Sequence, residues 1–321
     1  ISRREVASQF MQPAPKKILQ QLLADGLVTE LQAQLATQVP MADDMTVESD
    51  SGGHTDNRPL VCLLPSIISL RDEIQQQQNY ATIIKVGAAG GIASPHSALG
   101  AFMMGADYIV TGSINQSCIE SGSSAHCKQL LAQAGMADIA MAPAGDMFEM
   151  GVKVQVLKKG TFFPIRANKL YDLYKTYDSL DDIPVEEQKK LETQVFQKSL
   201  QTVWQETEAY FLPRDPAQIE QANKDPKRKM ALVFRWYLGQ SSRWANSGEK
   251  GREMDYQIWA GPSLGAFNAW VKGTYLESYQ ARGAADVALH LLKGAAYLQR
   301  VNQLKLQGLS LSTKLAMYKP E

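Results

Sequence analysis

The stretch from Val86 to Ser113, VGAAGGIASPHSALGAFMMGADYIVTGS, decides the fold of this chain. It reads as a short apolar strand, a glycine turn, a helix and a second strand that ends in Gly112-Ser113. At Gly90-Gly91 the missing side chains let backbone N–H groups approach an anion, and the next helix N-terminus adds partial positive charge. Pro95 suits the first turn of that helix. The stretch predicts a β-turn-α-β unit with two strand ends suited to a phosphate, and the alternative is an ordinary crossover.

Composition narrows the class of protein. The 321 residues carry 33 basic and 33 acidic side chains, so no global field favours nucleic acid or a membrane surface. Cys62, Cys118 and Cys127 form no C-x-x-C pair, which indicates buried thiols in a reducing compartment rather than metal ligands. Neither a membrane-spanning apolar run nor a signal peptide is present, and dinucleotide, P-loop and metal-binding spacings are missing. We therefore expect a cytoplasmic protein with no bound metal.

Strands and helices alternate in the first part of the chain. Strand candidates lie near residues 45–48, 83–86 and 108–111, and their spacing of roughly 25 to 40 residues suits repeated βα units. Residues 15–39 read as two short helices, of which the second begins with a T-x-x-Q capping box at Thr29. In a (β/α)8 barrel, phosphate-binding loops follow the last two strands. The pattern therefore predicts an α/β fold of this kind with a helical hairpin inserted at 15–39.

A second candidate site follows the strand near residue 45. The segment Ser49-Asp50-Ser51-Gly52-Gly53-His54 ends that strand with two glycines, which permit close approach to a flat ligand. His54 can give or take a proton near neutral pH. A surface histidine is the alternative interpretation. His54 lies at a predicted strand end, one βα unit before the unit with the predicted phosphate site. This position favours a residue of an active site.

The chain beyond Ser113 has a different character. We expect a helix over 115–135, a long amphipathic helix over 185–211 and a final helix over 294–309. The methionine-rich residues 136–151 suit either a mobile lid over an extended apolar substrate or core filler beside a loop. The basic residues within 223–252 suit either a solvated face or a surface that receives an acidic partner.

Three segments together resemble one family. They are ESDSGGHTDNRPL (Glu48–Leu60), KVGAAGGIASPHSALGAFMMGADYIVTGSINQ (Lys85–Gln116) and MALVFRWYLGQSSRWANSGEKGREMDYQIWAGPSLGAFNAW (Met230–Trp270). The chain resembles the PfaD-like proteins, flavin-dependent enoyl reductases of polyunsaturated fatty acid and trans-acyltransferase polyketide synthases. The first two segments are shared with the wider nitronate monooxygenase-like superfamily, and the third is specific to the PfaD-like branch.

The resemblance implies an FMN-binding TIM (β/α)8 barrel. We expect residues 1–135 to be the C-terminal portion of that barrel and residues 136–321 to be a mainly helical lid and C-terminal region. Only three strands can be placed, and family members begin well upstream. We therefore expect the N-terminal strands of the barrel to be missing, so that the piece could be inactive alone.

The resemblance also implies the site and the reaction. The cofactor-binding residues would be Gly52, Gly53, Ala89, Gly90, Gly91, Gly112 and Ser113, with the last four at the FMN phosphate and the first two beside the flavin. NADPH or NADH would reduce FMN, and hydride would pass to the β-carbon of a 2-enoyl thioester on acyl carrier protein. His54 would be the catalytic residue, which donates the α-proton or polarises the thioester carbonyl.

Two other functions suit the same residues. The first is a nitronate monooxygenase-type flavin oxidase on the same fold, with His54 as a base and oxygen as the oxidant. The second is a non-catalytic subunit that docks onto a synthase. For the enoyl reductase we expect acyl carrier protein domains as partners, with the basic segment around 227–252 as their candidate surface, and a homodimer as a further assembly.

Overall fold

The structure is a computed structural model that describes all 321 residues. The strands are β1 (Asp44–Glu48), β2 (Gly53–His54), β3 (Lys85–Ala89), β4 (Tyr108–Val110), β5 (Ile139–Pro143) and β6 (Lys153–Leu157). The helices are α1 (Arg4–Met11), α2 (Lys16–Ala24), α3 (Glu30–Leu35), α4 (Leu60–Gln78), α5 (Pro95–Met103), α6 (Ser113–Gln116), α7 (Ala125–Ala132), α8 (Phe163–Thr176), α9 (Val185–Lys190), α10 (Leu200–Phe211), α11 (Pro216–Lys224), α12 (Pro226–Ser247), α13 (Ser263–Val271) and α14 (Ala284–Leu306). None of these helices combines the length and the apolar character needed to cross a bilayer.

A parallel sheet in the order β1-β3-β4 carries the candidate site. Val47 pairs with Ala88, and Ala89 pairs with Val110. Val47 and Ala88 are fully buried. Because the carboxyl ends of parallel strands meet at one edge, the loops that follow β1, β3 and β4 lie side by side. The α/β class that the sequence predicts is therefore observed.

A second sheet is antiparallel, in the order β2-β6-β5. The hairpin formed by β5 and β6 pairs with the short strand β2, so that His54 lies opposite Val154. The methionine-rich stretch 136–151 thus includes β5 and most of the turn that leads to β6. The second sheet brings a part of the chain far from His54 in sequence beside it.

The last helix returns to the parallel sheet. A cluster of buried apolar side chains around β1, β3, α4 and α5 also contains Ala295 and Leu298 of α14. Gly294 allows the close approach, since a Cβ atom there would collide with Pro95 and with Tyr318. The division of the chain at residues 135 and 136 stays a prediction, and α14 packs on the first of these two parts.

Two of the predicted helices are interrupted. The helical hairpin at 15–39 is present as α2 and α3, with both hydrogen bonds of the Thr29 capping box. In contrast, the single helix predicted for 115–135 is wrong, because residues 117–124, which end in Ser-Gly-Ser-Ser, separate α6 from α7. Serine and glycine favour turns and caps over helix interiors, and Ser124 caps α7.

The continuous helix predicted for 185–211 is also wrong. A π-helical turn over 191–196 follows α9, and Gln197 has a positive φ of 54° before α10 begins. Arg252, which is 8% exposed, donates to the carbonyl of Val195 at 2.8 Å and to that of Phe196. These bonds satisfy carbonyl groups that a continuing helix would otherwise bond. Periodicity could not show this, since Arg252 lies more than fifty residues away.

The positive charge of the basic run 223–252 is paired in part with acidic side chains of the same chain. Arg228 and Arg235 on α12 both bind Glu149, at 3.0 and 3.3 Å. Arg252 is buried and paired with Asp255 at 3.1 Å. Part of the positive charge is therefore compensated within the chain, whereas Lys224, Arg243 and Lys250 are exposed and make no ion pair. A carrier-protein surface at this run stays a prediction.

Candidate active site at the strand ends

The parallel sheet places three of the predicted segments at one edge. Ser49 follows β1 and bonds the carbonyl of Ala89 at the end of β3, from its N–H at 2.9 Å and from its hydroxyl at 3.0 Å. Ala89 in turn pairs with Val110 at the end of β4. The Gly-Gly-His segment, the Gly90-Gly91 turn and the Gly112-Ser113 pair therefore follow three neighbouring strands.

The Gly90-Gly91 turn exposes unpaired backbone donors. Both glycines have positive φ, 79° and 72°. A Cβ atom on Gly90 would lie 2.6 Å from the Ser49 hydroxyl oxygen, whereas one on Gly91 would meet nothing within 4 Å. Neither N–H donates to a protein acceptor. Helix α5 begins after this turn with a capping box formed by Ser94 and Ser97.

The segment after β4 supplies a second set of donors. The N–H of Gly112 has no protein acceptor, and a Cβ atom there would meet nothing within 4 Å. Ser113 is 8% exposed, and its hydroxyl oxygen accepts the N–H of Gly261 at 2.9 Å. The hydroxyl proton of Ser113 is thus left without a protein acceptor. Free backbone N–H groups, a free hydroxyl and open space beside two glycines are the donor set that a phosphate needs.

His54 is held from two sides by distant residues. Its Nε2 lies 3.1 Å from Oδ1 of Asp146, in the turn between β5 and β6. The ring of Trp259 meets the imidazole edge-on, with 5.6 Å between ring centroids. The His54 side chain is 36% exposed, so it remains accessible to a ligand. A histidine in this setting can exchange a proton while its orientation is fixed.

Gly52 and Gly53 pack closely against another segment of the same chain. A Cβ atom on Gly53 would lie 2.6 Å from the Trp259 ring, and one on Gly52 would lie 2.8 Å from the backbone of Ala260. The space that the two glycines leave is therefore filled by the segment 259–261. Their position beside a flavin stays a prediction.

Several residues of this site are missing from the sequence-based expectation. Gln155 on β6 donates to Oδ1 of Asp50 at 2.9 Å and to the Ser51 carbonyl at 2.7 Å, which shapes the loop before His54. Gln116 on α6 donates to the Trp259 carbonyl at 2.6 Å. Trp259 lies within the third quoted segment, but nothing in its neighbours in sequence indicates contact with His54. No sequence pattern around Asp146 indicates that it lies near His54.

Comparisons with known proteins show the family to which the chain belongs. The structure superposes on the crystal structure of the enoyl reductase domain of MlnA, from the macrolactin biosynthesis cluster of Bacillus amyloliquefaciens. The TM-score is 0.90 and the sequence identity 41%, over 95% of this chain and 68% of that one. The chain therefore belongs to the family of this enoyl reductase domain, which is the PfaD-like family that its motifs indicate.

Curated relatives are longer proteins. The chain is 50% identical over 312 residues to a polyunsaturated fatty acid synthase polypeptide of Thraustochytrium sp., and the match covers 95% of this chain and 21% of that polypeptide. It is 48% identical over 298 residues to the polyketide biosynthesis protein PksE of Bacillus subtilis, covering 93% of this chain and 38% of PksE. The chain thus spans between about a fifth and two fifths of these relatives. In addition, residues 177–256 match the family model for the inserted helical domain of [acyl-carrier-protein] S-malonyltransferase.

Proposed function

We propose that the chain is the catalytic part of an FMN-dependent enoyl reductase that reduces 2-enoyl thioesters on acyl carrier protein, in polyunsaturated fatty acid or polyketide biosynthesis. The observation that carries the proposal is the alignment of three strand ends, two with unpaired N–H donors and one with His54. Membership in the family of the MlnA enoyl reductase domain, and similarity to polyunsaturated fatty acid synthase polypeptides, support the substrate class.

The residues present fit the FMN phosphate. Gly90 and Gly91 would offer their N–H groups from one strand end, and Gly112 and Ser113 would offer N–H groups and a hydroxyl from the next. The space beside Gly91 and Gly112 is open to a ligand. When bound, FMN would carry hydride from NADPH or NADH to the β-carbon of the enoyl thioester.

His54 would supply the proton to the α-carbon. It lies on β2 beyond the end of β1, and its side chain is partly exposed. The segment 259–261 connects it to the proposed phosphate site, because Trp259 packs against His54 and the Gly261 N–H donates to Ser113. The Trp259 ring packs edge-on against the imidazole, with 5.6 Å between the ring centroids. General acid catalysis of this kind contributes about 10²- to 10⁴-fold to a rate. Polarisation of the thioester carbonyl is the other role that the His54 imidazole could serve.

The outer edge of β1 supports the proposal of a larger barrel. The amino group of Ile1 donates to the Thr46 carbonyl at 2.6 Å, and the Glu48 N–H donates to the Ile1 carbonyl at 2.9 Å. This is the bonding pattern of a residue that pairs in parallel with Val47. We propose that the parallel sheet extends beyond β1, as it would in a (β/α)8 barrel.

The test uses full-length protein. It should show a flavin absorption spectrum after purification, and its reduced flavin should be reoxidised by an enoyl thioester on carrier protein without oxygen, measured by stopped flow. His54→Ala should keep the spectrum and lose about 10²-fold or more in turnover. His126→Ala, an exposed histidine outside the site, serves as the control.

Three results would contradict the proposal. A colourless full-length protein would favour the non-catalytic docking role. Oxygen-dependent turnover of a nitroalkane, with no reoxidation by the enoyl thioester, would favour the nitronate monooxygenase-type oxidase. Full turnover of the His54→Ala variant would remove His54 from the mechanism.

A further inference from the structure

The turn between β5 and β6, residues 144–152, is anchored at several points. Its ends are joined by the bond from the Ala144 N–H to the Val152 carbonyl at 2.9 Å. Phe148 is fully buried, and its ring packs against that of Tyr174 with centroids 5.2 Å apart. Glu149 is held by two arginines of α12, as described above. The turn is therefore tied to the rest of the structure through its two ends, Phe148 and Glu149.

Asp146 projects from this anchored turn toward His54. The hairpin pairs with β2 at Val154, so the turn and His54 belong to one sheet. The Asp146 carboxylate lies 3.1 Å from Nε2 of His54, and its Oδ1 also accepts the N–H of Met147 at 3.1 Å. Nδ1 of His54 has no partner within the chain, and Trp259 packs edge-on against the ring. The imidazole therefore has one occupied nitrogen and one available nitrogen.

We propose that Asp146 is a positioning residue for His54: its carboxylate holds the proton on Nε2, so that Nδ1 is the nitrogen that delivers a proton to the substrate. An ionised carboxylate can only accept a hydrogen bond, so it selects the imidazole form that carries hydrogen on Nε2. The inference rests on the proposed function, because it assigns the atom through which His54 acts.

The proton transfer balances without a further reagent at this step. In the protonated ring both nitrogens carry hydrogen. The Nδ1–H bond breaks, its electron pair stays on Nδ1, and the α-carbon of the substrate forms a C–H bond with the electron pair displaced by hydride addition at the β-carbon. The hydride comes from the nicotinamide reductant of the proposed function. The neutral imidazole left behind already carries its hydrogen on Nε2, so it needs neither a ring rotation nor a second exchange with Asp146.

The experiment combines spectroscopy with kinetics on full-length protein labelled with ¹⁵N in its histidines, four of which lie in this chain. Long-range ¹H–¹⁵N spectra in mildly alkaline buffer report which nitrogen of each neutral imidazole carries hydrogen, and the His54→Ala spectrum assigns the signals of His54. We expect the Nε2–H form in the unaltered protein. Asp146→Ala should give a mixture of both forms, Asp146→Asn should shift the ring toward Nδ1–H through its amide donor, and Asp146→Glu should restore Nε2–H in part.

The kinetic readout follows the same series. Asp146→Ala should lower kcat about tenfold, less than removal of His54 itself, with little change in KM, because the carboxylate contacts His54 and not the substrate. Asp146→Glu should recover part of that loss. Asp178→Asn is the matched control, since the Asp178 side chain is 98% exposed and its ion-pair partner Lys227 lies on α12.

Different results would overturn the proposed function and the positioning role of Asp146. If His54→Ala keeps full turnover, the proposed function fails. If His54→Ala is inactive while the Asp146 variants keep both the Nε2–H form and kcat, the function stands and the positioning role is overturned.

Discussion

Alanine at Gly90 should destabilise the fold more than alanine at the neighbouring Gly91. Both residues have positive φ, so each exchange forces a left-handed backbone that costs about 1–2 kcal/mol for an L-residue. Only at Gly90 would the new methyl group also lie 2.6 Å from the hydroxyl oxygen and 2.8 Å from the carbonyl oxygen of Ser49. Overpacking of this kind costs about 1–3 kcal/mol.

Displacement of Ser49 would add to the cost at Gly90. Ser49 is 2% exposed and makes the two hydrogen bonds to Ala89 that join the first loop to the end of β3. Each such bond contributes about 1 kcal/mol. We therefore expect a loss of about 2–7 kcal/mol for Gly90→Ala, with the upper end reached if both bonds are lost, and about 1–2 kcal/mol for Gly91→Ala.

The free energy of unfolding by urea, followed by far-ultraviolet circular dichroism, measures this difference. Flavin titration of the folded variants adds a functional comparison, because a methyl group on Gly91 would enter the open space proposed for the phosphate. Gly91→Ala should thus lose affinity for FMN while it keeps most of its stability. Equal destabilisation by the two exchanges would refute the close packing of Gly90 on Ser49.

Four further predictions concern the cysteines, a buried ion pair and the packing of α14. Ellman's reagent at pH 8 should modify the exposed Cys62 alone, and all three thiols in denaturant. Burial raises the pKa of Cys118 from 9.0 to about 11, so the folded chain holds this proton longer and its thermal stability should fall as pH rises from 9 to 11; unchanged stability across that window would contradict this. Asp255→Asn should cost about 3–5 kcal/mol in urea unfolding, because Asp255 is 1% exposed and pairs with the buried Arg252. Gly294→Ala should lower the melting temperature, because the new methyl group would collide with Pro95. A melting temperature at or above that of the unaltered protein would refute the packing of α14 on α5.

Local chemistry in the sequence was enough to identify the elements of the parallel sheet. Short apolar runs, glycine turns and capping residues act over a few neighbours, so β1, β3 and β4, the helix that begins at Pro95 and the capping box at Thr29 are visible in the chain. The same local rules point to Gly90, Gly91, Gly112 and Ser113 as donors at strand ends. They also single out His54.

Contacts between distant residues required the tertiary structure. The break after residue 196 depends on Arg252, and the surroundings of His54 depend on Asp146 and Trp259, which follow it by about ninety and two hundred residues. Periodicity describes one face of one element and says nothing about which other element covers it. The sequence by itself therefore determined the strand ends and the donors they carry. Only the folded chain decided which side chains lie against the histidine, because the pairing of β6 with β2 brings them there.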